Sequence, residues 1–282
     1  MSNSLWSDAW ARLLKNKLAV FGAIFLTLEI LLCVLTPWIA PYGFETQNLE
    51  LTLARPSFAH WFGTDNLGRD LFTRILYGGR ISMAVGIIAS LISVVVGVIY
   101  GAISGYVGGK TDTILMRIVD ILYALPFIFM VIILMVYFGR NILLLFVALG
   151  LTQWLTMARI TRGQVISLKQ KEFVDAARSV GVKTRYIILK HLIPNTLGPV
   201  IVYLTLTIPS VILEEAFLSF LGLGVQAPMA SWGTLISSGV EVMEIAPWIL
   251  LFPALMLSLT LFSLNFLGDG LRDALDPKGA RD

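Results

Sequence analysis

Residues 81–109 read ISMAVGIIASLISVVVGVIYGAISGYVGG and contain no Asp, Glu, Lys or Arg. A helix needs about 20 predominantly apolar residues to cross a bilayer, and this stretch supplies them. The run at 18–40 is similar and is interrupted only by Glu29. Four further uncharged stretches follow at 121–139, 141–158, 191–213 and 245–268. The sequence therefore predicts an all-α polytopic membrane protein with six transmembrane helices.

The composition of the whole chain points the same way. Hydrophobic residues make up 57% of the chain and charged residues 14%, with a mean hydropathy of +0.82. Soluble domains average about 45–50% apolar and about 25% charged residues, so too little polar material is present to cover a soluble core. A soluble enzyme, a disordered chain and a nucleic-acid-binding domain are excluded. One cysteine and two distant histidines form no metal-ligand pattern, so we expect neither a metal nor a cofactor.

The basic residues divide unequally between the two sets of segments that six spans separate. Sixteen of the 21 lie in the N-terminal tail, 104–117, 159–190 and the C-terminal tail. The other five are Arg55, Arg69, Arg74, Arg80 and Arg140. Basic residues concentrate in the cytoplasmic loops of membrane proteins, so both termini are predicted to be cytoplasmic and segment 41–80 external.

The spans divide the chain into two regions. Residues 1–80 hold the N-terminal tail, the first transmembrane helix and the external segment, and residues 81–282 hold a five-helix core with a cytoplasmic loop at about 159–195. The uncharged stretch 216–240 is rich in glycine and serine and contains Pro228. It is a poor spanning helix, and we expect a re-entrant external segment that other parts of the protein cover.

Three glycine-rich patterns receive structural interpretations. GGKT at 108–111 has Ser104 where a P-loop requires glycine, and GLGVQA at 222–227 runs directly into Pro228, so neither predicts a nucleotide site. Gly97, Gly101 and Gly105 share one helix face, which favours close helix packing.

Polar groups inside the spans are the candidates for a substrate path, because each is costly in lipid. Glu29 lies in the middle of the first span and either lines a path or pairs with a neighbouring helix. Glu214 and Glu215 lie at the outer end of the fifth span, where they either attract a cationic group or simply mark the interface. Asn265 is predicted to hydrogen-bond between helices. Three of these residues are taken as path candidates: Glu29, Glu215 and Asn265.

The cytoplasmic loop reads KEFVDAARSVGVKTRYIILKHLIPN from Lys171 to Asn195. Its first part predicts a short helix with Phe173, Ala177 and Val180 on one face and Gly181 as its left-handed cap. A second helical stretch is predicted at 184–193, ending near Pro194. The apolar face of the short helix either rests on the bilayer surface or docks in a groove of a cytoplasmic partner.

This loop resembles the EAA motif of the permease subunits of ATP-binding-cassette (ABC) importers, which places EAA, three residues, Gly, nine residues and then I-x-L-P. The positions here are Asp175, Ala176 and Ala177, then Gly181, then the run from His191 to Pro194. The spacing matches, with Asp for Glu, His for Ile and Ile193 for Leu as departures. FGTDNLGRDLFTRILYGGRIS at 62–82, FLSFLGLG at 217–224 and LNFLGDGLRDALDPK at 264–278 are similar to the C-type permeases of bacterial oligopeptide and dipeptide importers.

The resemblance implies a fold of the ABC importer permease type in the bacterial inner membrane. It implies pairing with a second homologous permease, two cytoplasmic ATPase subunits that hydrolyse the ATP, and a periplasmic binding protein that delivers peptide, so the chain is not itself an enzyme. It also implies an ATPase-coupling role for six loop residues: Glu172, Asp175, Ala176, Ala177, Gly181 and Pro194.

Several alternatives stay open or are weighed against this expectation. The cargo is expected to be oligopeptide, with dipeptide, nickel or glutathione as alternatives within the family. An ion-coupled secondary transporter acting alone is a different class, and no inverted repeat supports it. An intramembrane enzyme would need paired carboxylates or a nucleophile with a base in the spans, and none is visible.

Overall fold

The computed structural model describes residues 5–139 and 141–275, with side chains from residue 10 onward. Arg140, Lys278 and Arg281, which helped to assign sidedness, lie outside the described residues, as do both chain ends. The helices of the described part are α1 Leu5–Lys15, α2 Lys17–Ile39, α3 Leu71–Val107, α4 Gly109–Tyr123, α5 Phe127–Phe138, α6 Ile142–Leu168, α7 Glu172–Ser179, α8 Thr184–Tyr186, a π-helical turn Ile187–Leu192, α9 Ile193–Phe220, α10 Trp232–Glu241 and α11 Trp248–Leu275.

The helices match the six expected spans only if one of them is a broken span. Five helical segments are long and apolar enough to cross a membrane, and α4 with α5 makes a sixth only as a pair bent by 86°. The span expected at 121–139 therefore falls across the break of a bent pair that begins at Gly109. Proline lacks the N–H of a helical hydrogen bond and restricts the residue before it, and Pro126 stands at the N-cap of α5, directly beyond the end of α4. The break leaves space beside α6 and α9.

Helix α3 begins ten residues earlier than the predicted span. The side chain of Asp70 accepts a hydrogen bond from the backbone N–H of Thr73 at 2.8 Å and caps the helix. Arg74, which the sequence placed outside the span, lies 3.3 Å from the carboxylate of Asp65 and donates to the carbonyl of Phe44. At 37 residues, α3 is about 55 Å long and extends beyond the bilayer core of about 30 Å.

The glycines of α3 form its seam with α6, as the sequence predicted. A Cβ on Gly97 would lie 2.6 Å from Cβ of Met157 and 2.8 Å from the carbonyl oxygen of Trp154. A Cβ on Gly105 would lie 2.8 Å from the carbonyl oxygen of Arg162. Contacts this short leave no room for a side chain, so the two helices pack backbone to backbone along this face.

The region near the end of the cytoplasmic loop differs from the prediction. Helix does not stop near Pro194 but runs without a gap from α8 through the π turn into α9. In the π turn the N–H of Ile193 bonds to the carbonyl of Ile188, five residues earlier. A wider turn of this kind accommodates local disruption of the ordinary bonding pattern, so Pro194 is tolerated within a continuous segment. The loop and the fifth span therefore form one rigid element.

The stretch beyond α9 is a short helix held inside the protein. Helix α10 has ten residues, about 15 Å, too few to cross a bilayer. Trp232 is fully buried, and its indole N–H donates to the carbonyl of Ile75 at 3.1 Å. Its backbone N–H donates to the hydroxyl of Ser82. These contacts support the expectation that other parts of the protein cover this segment.

Candidate functional site

Helix α7 rests on the cytoplasmic ends of the long helices through one face. Val174 is fully buried, and Ala177 packs beside it. They join one apolar cluster with residues of α3, α6 and the π turn, namely Ala102, Tyr106, Val165, Ile187, Ile188 and Leu192. This contact fixes α7 against two spans and the start of a third.

Polar contacts to Tyr106 of α3 reinforce this arrangement. The guanidinium of Arg178 donates to the phenol oxygen of Tyr106 at 3.3 Å, and that bond raises the pKa of Arg178. The ammonium of Lys169 donates to the backbone carbonyl of Tyr106 at 2.6 Å. Lys169, which precedes the turn into α7, and Arg178, which lies within α7, therefore both contact Tyr106 of α3.

Gly181 ends α7 as the sequence predicted. Its φ is +79°, a region that L-residues rarely adopt. Its N–H bonds to the carbonyl of Arg178 at 2.9 Å, and the N–H of Val182 bonds to the carbonyl of Ala177 at 3.0 Å. This pattern is a Schellman cap, and both Ala177 and Val182 pack against the same apolar cluster. The cap turns the chain from α7 into α8.

The outward face of α7 differs by one residue from the predicted one. Ala177 points inward, so the exposed apolar positions are Phe173, Ala176 and Val180, three and four residues apart. Phe173 is 39% exposed and Val180 is 84% exposed. Residues at this spacing share one side of a helix, which gives α7 an apolar stripe on its free face.

The remaining coupling candidates surround this stripe. Glu172 and Asp175 are exposed in the first turn of α7, where acidic side chains favour the helix dipole. Asp175 lies 3.3 Å from Arg178. Pro194 is exposed, at the start of α9 and beyond the π turn, and so belongs to the continuing helix and not to the α7 cap. Five of the six candidates thus lie together on α7 and its cap.

Val174 and Tyr106 were missed, although the buried spacing of Val174 and Ala177 was visible as an i, i+3 pair.

Two of the path candidates are enclosed by the protein. Glu29 is 2% exposed and accepts a hydrogen bond from the hydroxyl of Thr260 of α11 at 2.7 Å, which matches the expectation of pairing with a neighbouring helix. Glu215 is fully buried and accepts from Ser219 at 2.6 Å and from Ser82 at 3.4 Å. Both carboxylates are enclosed by other parts of the chain in this conformation, and their expected contact with substrate stays a prediction.

Asn265 also departs from its prediction. Its side-chain amide donates to the carbonyl of Leu261 in the same helix at 2.8 Å, and the residue is exposed. The expected hydrogen bond to another helix is therefore wrong for the described residues. Asn265 exposes a polar group on a spanning helix, and its expected position on a substrate path stays a prediction.

Two family models match this chain, one on each side of segment 57–92. Residues 93–281 match the model described as "Binding-protein-dependent transport system inner membrane component". Residues 4–56 match "N-terminal TM domain of oligopeptide transport permease C".

Similar proteins of known name agree with these matches. The oligopeptide transport system permease protein OppC of Haemophilus influenzae is 56% identical over 277 residues, which cover 98% of this chain and 89% of the relative. The dipeptide transport system permease protein DppC of Bacillus subtilis is 50% identical, covering 98% and 87%. The glutathione transport system permease protein GsiD of Escherichia coli is 42% identical, covering 97% and 90%.

A solved structure shares the fold. The inward-facing MetNI methionine ABC transporter contains a chain that aligns with a TM-score of 0.59 and 20% identity, over 73% of this chain and 98% of that one. Identity this low supports the architecture alone. With the family model matching 93–281, the protein belongs to the family of inner membrane permease components of binding-protein-dependent transport systems.

Proposed function

We propose that this permease subunit carries oligopeptides across the bacterial inner membrane as part of an ABC importer. The observation that carries the proposal is the 56% identity to an oligopeptide permease over 98% of the chain. The second family match, to the N-terminal domain of an oligopeptide permease, supports it from an independent part of the sequence. Dipeptide and glutathione remain cargo alternatives, because permeases named for them are 50% and 42% identical.

In this proposal, α7 is the contact that receives the motion of an ATPase. Its apolar stripe is exposed, yet its other face is buried against α3, α6 and the π turn. A short helix with an apolar free face fits a groove on a partner protein. Because α7 leads through the Gly181 cap into the continuous segment 184–220, a push on the stripe would move a whole span. A packed, stiff connection of this kind transmits rigid-body motion.

The remaining parts of the importer are proposed to come from other chains. Two cytoplasmic ATPase subunits hydrolyse ATP, a second homologous permease completes the path as a heterodimer, and a periplasmic protein delivers the peptide. This chain is then not an enzyme, and both of its termini lie in the cytoplasm with α7. The proposed roles of the coupling residues follow: Glu172 and Asp175 frame the stripe, Ala176 and Ala177 permit close approach, and Gly181 makes the turn.

The proposal is tested by reconstitution. The chain is purified with its co-expressed ATPases and second permease, placed in liposomes and supplied with binding protein loaded with di-, tri- or pentapeptide. We expect ATP-dependent uptake of the longer peptides, and preference for dipeptide or glutathione would reassign the cargo. Uptake in liposomes that lack the ATPases would instead indicate an ion-coupled secondary transporter and overturn the proposal.

A variant pair tests the role of α7 in the same preparation. Phe173→Asp places a charge on the apolar stripe, and we expect the ATPases to dissociate while the permease still inserts. Phe58→Asp is the matched control, because Phe58 is equally apolar and fully exposed but lies in the segment between α2 and α3. Equal ATPase retention by both variants would remove α7 as the docking site.

A further inference from the structure

The break between α4 and α5 opens a cavity of about 290 Å³ against α6 and α9. Apolar residues of the break form one wall of it. The opposite wall is polar and consists of Thr152, Gln153 and Thr156 of α6 with Glu214 of α9. A volume of this size lies at the lower end of small-molecule pockets. It accommodates one side chain or one end of a peptide but not a whole oligopeptide.

Glu214 lines this cavity, and only one of its two carboxylate oxygens has a hydrogen-bond partner among the described residues. Its Oε1 accepts a hydrogen bond from the side-chain amide of Gln153 at 2.7 Å. Its Oε2 is buried and has no hydrogen-bond partner within the described part of the chain. Among the described residues that line the cavity, Glu214 alone carries a charge. A buried carboxylate oxygen without a partner is costly, so a cation or a hydrogen-bond donor placed beside Oε2 would stabilise it.

The neighbouring carboxylate shows what a purely structural glutamate looks like in this helix. Glu215, one residue further on, is fully buried and its oxygens are satisfied by Ser82 and Ser219. Consecutive residues of a helix point about 100° apart, so Glu215 faces the protein interior while Glu214 faces the cavity. Structural packing therefore explains Glu215 but not the unpaired oxygen of Glu214.

The electrostatic surroundings favour a cation. The nearest described arginine on α6, Arg159, is neutralised by Asp120 at 2.9 Å and stacks over Tyr123 with its guanidinium carbon 4.4 Å from the ring centroid. It therefore brings no uncompensated positive charge. Gln153 and Glu214 both lie on helices long enough to span the membrane, where ionisable groups face a partner or a water-filled space and mark substrate routes.

We propose that this cavity is a subsite for a cationic group of the cargo, either the α-ammonium or a Lys or Arg side chain of a peptide. Glu214 Oε2 supplies the counter-charge, and Gln153 fixes the orientation of the carboxylate. The inference rests on the proposed peptide function, and it places substrate contact on a residue other than Glu29, Glu215 or Asn265.

The first experiment measures the cavity's preference for cations without any cargo. Thr152→Cys is introduced in the assembled complex in nanodiscs, with the buried Cys33 replaced by Ala in every variant. We expect a cationic methanethiosulfonate to modify this cysteine about tenfold faster than an anionic one of similar size, because a single charge in a low-dielectric cleft concentrates counter-ions. Glu214→Gln, which keeps the shape and an acceptor for Gln153, should bring the ratio close to one.

The matched control is Glu244→Gln, which removes the same charge from an exposed position between α10 and α11 outside the cavity. It should leave the cation preference unchanged. If Glu214→Gln keeps the wild-type ratio, or if Glu244→Gln lowers it equally, the cavity has no cation-selective site and the inference is overturned.

The second experiment links the site to transport and separates the two sources of positive charge. Liposomes receive saturating, preloaded binding protein, so that differences in peptide capture do not contribute. If the α-ammonium occupies the site, Glu214→Gln should lower uptake of every peptide with a free amino terminus about tenfold. If a side chain occupies it, only peptides with Lys or Arg should be affected, relative to acetyl-lysine counterparts.

The outcomes distinguish this inference from the proposed function. Wild-type liposomes that take up no peptide would refute the peptide function, whereas the labelling ratio would still report on the cavity. Wild-type uptake combined with equal losses for charged and neutralised peptides in Glu214→Gln would refute the subsite and leave the peptide function intact.

Discussion

Replacing Gly181 by valine should release the end of α7. The residue has a φ of +79°, and a Cβ at this position would meet no atom within 4 Å, so the cost is conformational and not a clash. An L-residue in the left-handed region costs about 1–2 kcal/mol, and a β-branched residue costs more.

If the chain does not adopt the strained φ angle, it loses the cap instead. The free energy of the cap therefore sets an upper bound on the cost of the substitution. The two cap hydrogen bonds, from Gly181 to Arg178 and from Val182 to Ala177, contribute about 0.5–1.5 kcal/mol each. We therefore expect Gly181→Val to destabilise the capped state by about 2–3 kcal/mol, which is roughly 30- to 150-fold in its opening equilibrium. Gly181→Ala should cost about 1 kcal/mol, or about fivefold.

Hydrogen exchange on the complex in nanodiscs measures this opening directly. The amides at 180–182 should exchange faster by the stated factors, and ATPase affinity should fall in the same order, because the stripe on α7 is then presented only part of the time. Gly163→Ala is the control, since a Cβ there also meets nothing within 4 Å but its φ is not positive. Wild-type exchange and ATPase affinity in Gly181→Val would refute the argument that the cap orients α7.

Three further changes test other parts of the fold. Gly101→Ala should lower the thermal unfolding temperature in detergent through overpacking of about 1–3 kcal/mol, because its Cβ would overlap the carbonyl oxygen of Ala158; an unchanged temperature would contradict the tight seam. Val174→Ala should destabilise the packing of α7 by about 1–2 kcal/mol, because two methyl groups are lost and a cavity is left behind. Amide hydrogen exchange should then be faster throughout α7, and exchange as slow as in the wild type would contradict the burial of Val174. Glu29→Leu should leave both stability and uptake near wild type, because the carbonyl of Met256, 2.7 Å from the hydroxyl of Thr260, can accept its single hydrogen once Glu29 is absent. Lost uptake with an unchanged unfolding temperature would instead give Glu29 a role on the path.

Local patterns predicted those features that depend on neighbouring residues. The glycine spacing of α3 predicted its seam, and Gly181 predicted a cap, because one helix face or one φ angle decides each of them. The start of α3 and the passage of helix through Pro194 were missed. Both depend on contacts that form only in the folded chain. Arg74 lies 3.3 Å from the carboxylate of Asp65 and donates to the carbonyl of Phe44, and the π turn packs in one apolar cluster with α3 and α7.

The candidate site residues were also predicted well where neighbouring residues decide their position, and poorly where distant contacts decide it. The loop motif predicted that five of the six coupling candidates lie together, because Glu172 to Gly181 span ten positions; Pro194 lies further along the chain. The substrate-path candidates were chosen by polarity alone, and polarity does not reveal which way a side chain points. Glu214 and Glu215 are adjacent in the sequence. Glu215 is nevertheless surrounded by Ser219 of its own helix and by Ser82 and Ser231 from other segments, whereas Glu214 adjoins a cavity.

By itself, the sequence determined that this is a helical membrane protein, which uncharged stretches can span the bilayer and which loop resembles the EAA motif. Charged side chains and unpaired backbone groups are costly in lipid. Spans can therefore be recognised from a local run of apolar, uncharged residues. Only the tertiary structure decided that the third span is broken, which face of α7 is free and which of the adjacent residues Glu214 and Glu215 retains an unpaired carboxylate oxygen. Each of these depends on contacts between helices that are far apart in the chain, and such contacts leave no regular pattern in the sequence.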